Sequence, residues 1–233
     1  ARQEEPQTRV IEREGGGVDR AGRAGESREE LSISELESRA RRRELGGRSY
    51  PYHDEPRRVR GKIDCPDVEL VEYDGRLIDY SRRIEINRRF RGRLERFERI
   101  VGEVAVEVYG RRPDRIVNYG GHACRTIGGK GEKLSEHAFG HAVDVVGFDF
   151  EAVDSSRQRR RKLGRAAQAF EVRVGDHWNA SAGFASKHGE FLHRLAVQLE
   201  RRGPFSGMLG PGYPGHDDVF HFDFGPEFFF RIR

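Results

Sequence analysis

The sequence predicts an α+β fold: a small antiparallel sheet that carries the chemistry, with helices packed beside it. Three observations lead there. Apolar residues recur at spacings of three and four over Ile86–Val108 and again over Phe184–Leu199, the period of an amphipathic helix. Ala142–Phe150 alternates well enough for a strand, and the shorter segments Arg115–Tyr119 and Val219–Phe224 read as strands beside it. The segments that combine His and Asp, Ser135–Asp144 and Asp218–Asp223, run into strand patterns rather than helical ones.

Composition divides the chain. Hydrophobic and charged residues each make up 35% of the 233, too polar for every segment to enter a core. Residues 1–58 are rich in Glu, Arg and Gly, with Gly15–Gly17 and Arg41–Arg43 among them. Such a stretch buries too little apolar area to offset its ordering entropy, so a disordered tail or tether is expected, with a short charged helix over 31–45. Residues 59–233 are long enough for one substantial core. The net charge of +4 and pI of about 9.2 come mostly from Arg balanced by acids. This excludes no partner but gives nucleic acid little weight, and a mildly basic surface suits an anionic polymer such as a cell wall. No stretch approaches eighteen apolar residues, so no membrane span is expected. The sequence opens at Ala1 rather than Met, which fits a product whose targeting segment has been removed. Cys65 and Cys124 form a disulfide in an oxidising compartment and stay buried thiols in a reducing one; the sequence leaves both open.

In chain order, Val68–Tyr73 and Arg76–Tyr80 flank Asp74-Gly75 and read as a hairpin. The first helix follows, its five Arg residues between 88 and 96 read as a solvated face laced with ion pairs, and it stops near Gly110 and Pro113. Gly128–Gly131 makes a flexible loop that lacks the ending of a phosphate-binding P-loop. Arg157–Lys162 reads as solvated. Gly203-Pro204 ends the second helix, and Gly210–Gly215 is a turn-rich loop ahead of the last strand.

The chemistry lies in His137, Asp144 and His221. Two imidazoles and a carboxylate are three ligands for Zn²⁺, leaving a fourth tetrahedral position open, as catalytic rather than structural zinc sites do. His137 and His141 also stand four apart, as in the helical HExxH signature, but Ala138 replaces the Glu and Gly140 disfavours helix. His141 is therefore expected to line the cleft. Trp178 is a candidate pocket wall, Tyr213 a candidate for the substrate side, and Ser135 a support for the ligand loop at the substrate's edge, since no base is spaced to make it a nucleophile. Phe139, Phe148, Phe220, Phe222 and Phe224 are expected in the core. His216 and Asp218 are candidates for the general base, although in an extended strand Asp218 would point away from the face of His221.

Cys124-Arg125, Ser135-Glu-His-Ala-Phe-Gly-His-Ala-Val-Asp144, Val146-Gly-Phe148, Leu209-Gly-Pro-Gly-Tyr213 and Phe220-His-Phe-Asp223 together resemble the bacterial extensin-like C-terminal domain. More distantly, the S-x-H-x-x-G-x-A-x-D run looks like the zinc peptidases grouped with D-Ala-D-Ala carboxypeptidases, lysostaphin and hedgehog domains. The resemblance covers roughly Ile63–Phe224. It implies zinc on His137, Asp144 and His221, with Arg125 holding a substrate carboxylate or an oxyanion. Asp218 would serve as base in the manner of the related E-x-x-H enzymes. It also implies a periplasmic or secreted hydrolase of peptide or amide bonds, with peptidoglycan or wall peptides as its partner. One departure stands out: where the family often has the first His of His-x-His, this chain has Val219. The alternative is a zinc-containing wall-binding module without catalysis.

Overall fold

A computed structural model describes residues 63–129, 131, 133–154, 156 and 162–232. The tail at 1–58, the charged helix at 31–45 and most of the basic run at 157–162 lie outside the described residues.

Among the described residues nine strands and three helices follow one another. They are β1 (Leu70–Tyr73), β2 (Asp79–Tyr80), β3 (Ile84–Asn87), α1 (Arg91–Tyr109), β4 (Arg115–Gly120), β5 (Ala142–Phe150), β6 (Phe170–Arg173), α2 (Val174–His177), α3 (Ala185–Arg202), β7 (Gly207–Leu209), β8 (Phe220–Asp223) and β9 (Phe229–Arg231). The α+β class holds, but the sheet is neither small nor purely antiparallel. It has seven strands in the order β2-β4-β5-β8-β7-β9, with β6 also on β5, and its outer pairs β2–β4 and β7–β9 are parallel. The parallel pair β2–β4 arises because the chain crosses from one strand to the other through β3 and α1.

The expected 68–80 hairpin does not form. The turn is present, with the Tyr80 amide donating to the Asp74 carbonyl at 2.9 Å. The amides of Arg76 and Leu77, however, donate to the Glu98 carboxylate of α1 at 3.1 and 2.7 Å, and Tyr73 Oη donates to its other oxygen. With those amides engaged, β1 pairs with β3 and β2 with β4. Both helical patterns fold as helices, α1 starting later than its apolar period suggested because Ile86 belongs to β3. Gly110 and Gly203, both left-handed, end α1 and α3.

β5 is the organising strand. One edge pairs antiparallel with β4; the other is shared by β8 along 142–145 and β6 along 147–150. Alternation then separates two faces. Val143, Val145, Phe220 and Phe222 turn toward the helices, where Phe222 meets Phe97 of α1 and Phe148 meets Phe191 of α3, ring centroids 5.2 and 5.1 Å apart. Burying these aromatic rings is the main driving force for the sheet–helix sandwich. The opposite face keeps Asp144, His221 and Asp223.

Candidate metal centre

Asp144 and His221 are register partners across β5–β8, so their side chains leave the sheet on the same side. His137 arrives from above. Ser135 caps a short 3-10 helix, Glu136–Phe139, its hydroxyl accepting the His137 amide at 3.4 Å, and Gly140 closes that turn with φ 66°. The three side chains bring His137 Nε2, His221 Nδ1 and the Asp144 carboxylate within 4.8 Å of one another. His221 Nδ1 lies 2.9 Å from Asp144 Oδ1; His137 Nε2 lies 3.2 Å from both Asp144 Oδ2 and His221 Nδ1.

The remaining ring nitrogens explain why these atoms face inward. His137 Nδ1 is 2.5 Å from the Gly121 carbonyl, which can only accept, so Nδ1 carries the hydrogen and Nε2 its lone pair. His221 Nε2 donates to Asp223 Oδ2 at 3.0 Å, which frees Nδ1 in the same way. Three electron-pair donors therefore converge, and such a set calls for a cation. A proton can serve as that cation: burial favours the neutral form of His221, but the carboxylates of Asp144 and Asp223 outweigh it and push its pKa up to about 9, so Nδ1 is freed for a metal only as that proton leaves. Burial likewise works against ionised Asp144, yet when protons rather than a metal sit on His137 Nε2 and His221 Nδ1, the hydrogen bonds they donate hold its carboxyl far below the usual range. The residues thus fit a divalent metal ion, with the outer partners that metal-binding histidines require.

Several other residues stand at the open side. The Arg125 guanidinium is 3.9 Å from Asp144 Oδ2, with its side chain 42% exposed. The His216 ring is 6.0 Å from that of His221 and in contact with the ring of Tyr213. Of the six large hydrophobic residues that stay exposed among the described residues, Tyr119, Ile127 and Tyr213 belong to the segments around the site.

Two expected cleft residues are not in the cleft. His141 is buried, its ring stacked near Phe139 and flanked by Phe90 and Phe224. It underpins the ligand loop from below because β5 begins immediately after it. Trp178 is buried too, stacked on His193 with centroids 3.8 Å apart. Asp218 is exposed and reached by the Tyr119 hydroxyl at 3.5 Å, while Val219, immediately before β8, is buried. Cys65 and Cys124 form a disulfide.

The family model described as extensin-like protein C-terminus matches residues 42–229. That span covers most of the chain. The chain belongs to this extensin-like family. Its match begins ahead of the described residues and ends within β9, so all three candidate metal ligands lie inside the family domain. No curated protein and no solved structure matches the chain.

Reading the residues alone missed Gly121, Asp223 and Tyr119. Asp223 left a signal, since it stands two residues beyond His221 in a strand and must share its face. Gly121 acts through its backbone carbonyl and leaves none.

Proposed function

We propose that this extensin-like protein is a zinc-dependent hydrolase of peptide or amide bonds in bacterial cell-wall peptidoglycan, acting in the periplasm or outside the cell. The observation that carries the reading is the convergence of His137 Nε2, Asp144 and His221 Nδ1 beside an exposed Arg125. Two imidazoles and one carboxylate suit Zn²⁺, which when bound supplies a Lewis acid that polarises a carbonyl and acidifies water. The likeness to the zinc peptidases that include D-Ala-D-Ala carboxypeptidases and lysostaphin belongs to this proposal. The assignment to the wall rests on it.

Arg125 is placed to hold a carboxylate of the substrate or the oxygen that gains charge as a carbonyl is attacked. His216 takes the role of proton carrier over Asp218. Its ring stands beside that of His221, and burial lowers its pKa from the ordinary value, keeping an unprotonated nitrogen available at neutral pH. Asp218 instead meets Tyr119. Tyr119, Ile127 and Tyr213 offer apolar surface to the substrate around the charged centre.

The test is mass spectrometry of purified peptidoglycan fragments incubated with zinc-loaded and chelator-stripped protein. A new fragment that needs the metal, and is lost in His137→Ala and Asp144→Ala proteins of intact fold, supports the reading, and its mass identifies the bond. Unchanged activity in either variant sinks the mechanism. The second reading, a wall-binding module, is favoured by the apolar Val219 at the position of the usual imidazole. It predicts binding to wall fragments without cleavage.

A further inference from the structure

The segment Gly121–Ile127 is interleaved with the ligand loop. Besides the Gly121 carbonyl on His137 Nδ1, the Ala123 amide donates to the His137 carbonyl at 3.1 Å. The Ser135 amide donates to the Arg125 carbonyl at 3.1 Å, the Ile127 amide to Lys133 at 2.9 Å, and Thr126 bridges to Leu134. This one segment thus orients a metal ligand and carries Arg125. Little apolar burial holds it: Cys124, Ile127, Gly128 and Gly129 are exposed, and His122, Ala123 and Arg125 are half-buried. Its covalent anchor is the Cys65–Cys124 disulfide at its centre. Cys65 in turn packs on the small cluster of Leu134, Ala138 and Phe139 beneath the ligand loop.

We propose that Cys65–Cys124 is a reversible thiol–disulfide site whose state sets the metal affinity of His137, Asp144 and His221. The proposal rests on the metal-centre reading above. Cys124 is the exposed partner, so a dithiol reductant attacks there. One thiolate of the reductant bonds to Cys124 Sγ and breaks the bond to Cys65, which leaves as a thiolate and takes up a proton. The second thiol of the reductant then displaces Cys124 as a thiol and leaves as the oxidised, cyclic disulfide. Two electrons pass from reductant to protein. Segment 121–127 keeps its hydrogen bonds to the loop it orients and the bond from the His122 amide to the Glu85 carbonyl of β3 at 2.7 Å. Beyond that point it loses its covalent anchor, so the Gly121 contact to His137 loosens and Arg125 loses its fixed position beside Asp144. Outer partners of metal ligands typically account for about 10–100-fold in affinity, and a loss in that range is expected.

The experiment measures Zn²⁺ affinity by competition with a chromophoric chelator. One sample of the full chain is read oxidised, after reduction with a phosphine, and after reoxidation. A Cys65→Ser/Cys124→Ser variant repeats the measurement without thiols that could themselves take zinc. Fluorescence of the buried Trp178 reports folding in each state, and the reversible cycle on the wild type stands by itself if the double variant does not fold. Weaker binding on reduction by about tenfold or more, recovered on reoxidation and matched by the folded variant, supports the proposal. Equal affinity in the oxidised and reduced states overturns it and leaves the metal centre intact. An oxidised protein without zinc affinity overturns the metal centre itself and this proposal with it.

Discussion

Asp144 and His221 face each other across the β5–β8 pair, with Oδ1 and Nδ1 2.9 Å apart. A backbone ladder, rather than a mobile loop, therefore fixes two of the three candidate ligands. Asp144→Ala removes the carboxylate that faces both imidazoles and leaves the sheet unchanged. Zinc affinity is expected to fall by more than about 100-fold, beyond the range seen for outer partners. The metal-free protein is expected to melt lower at neutral pH, because the depressed pKa of this carboxylate is itself a stabilising contribution there. Calorimetric titration with Zn²⁺ beside a melting curve checks both.

Asp223 tests the outer layer. Its carboxylate holds His221 Nε2 and, through its other oxygen, accepts the Gly225 amide at 3.2 Å. Asp223→Asn keeps the shape but weakens the acceptor that directs Nδ1 inward. A loss of about 10–100-fold in zinc affinity is expected. An affinity unchanged within twofold would show that Asp223 does not orient the ring.

Much of this centre was legible in the sequence because its donors are side chains on short, patterned segments. His137, Asp144 and His221 could be chosen by residue type and order, and β4, β5, β8 and both long helices by periodicity. What was not legible depends on long-range partners. The 68–80 hairpin looks local, yet Glu98, more than twenty residues on, takes the amides a hairpin ladder would use. His141 stands four residues after His137 in the ligand segment, as a cleft residue would, but Phe90 and Phe224 close over it from distant parts of the chain. The parallel outer strand pairs follow from crossovers that no local pattern records.

Gly140 links the motif spacing to geometry. It stands at φ 66°, where an L side chain is strained, and an added Cβ would meet Asn87 N at 2.5 Å and Leu70 Cδ2 at 2.9 Å. Its carbonyl also accepts the Asn87 amide at 2.9 Å, joining the ligand loop to β3. Gly140→Ala should cost about 2 kcal/mol or more of stability from the backbone conformation and the clash together. It should also weaken zinc binding, because His137 lies in the turn that Gly140 closes. Chemical denaturation and zinc titration of the same variant separate the two effects.

His188 sets a pH dependence outside the metal centre. It is buried, its ring stacked against Phe170, and its Nδ1 is hydrogen-bonded to the Tyr109 hydroxyl at 2.9 Å. Burial, with help from His177 and Arg165, pushes its pKa down to about 4 from 6.5. Between those values the unfolded chain binds a proton that the folded protein refuses, so stability rises with pH across the window. The stabilisation is full above pH 6.5 and is lost as pH falls toward 4, with an upper bound of about 3 kcal/mol. Urea midpoints measured from pH 7 to 4.5 should fall for the wild type and fall less steeply for His188→Phe. Parallel slopes for the two proteins would remove His188 as the cause.

His216 separates binding from chemistry. It lies in the loop before β8, half-buried, with its ring 6.0 Å from His221 and 5.4 Å from Tyr213. It is not one of the three converging donors. His216→Ala should therefore leave zinc affinity near that of the parent. If His216 carries the proton, hydrolysis should drop by roughly 10²–10⁴-fold, the usual range for a general acid–base group. Asp218→Asn should change the rate far less, since that carboxylate meets Tyr119 at the surface. Rates on a wall fragment, measured for both variants after their zinc content has been equalised, decide between them. A larger loss in Asp218→Asn would assign the proton transfer to Asp218 and require it to turn away from Tyr119 during the reaction.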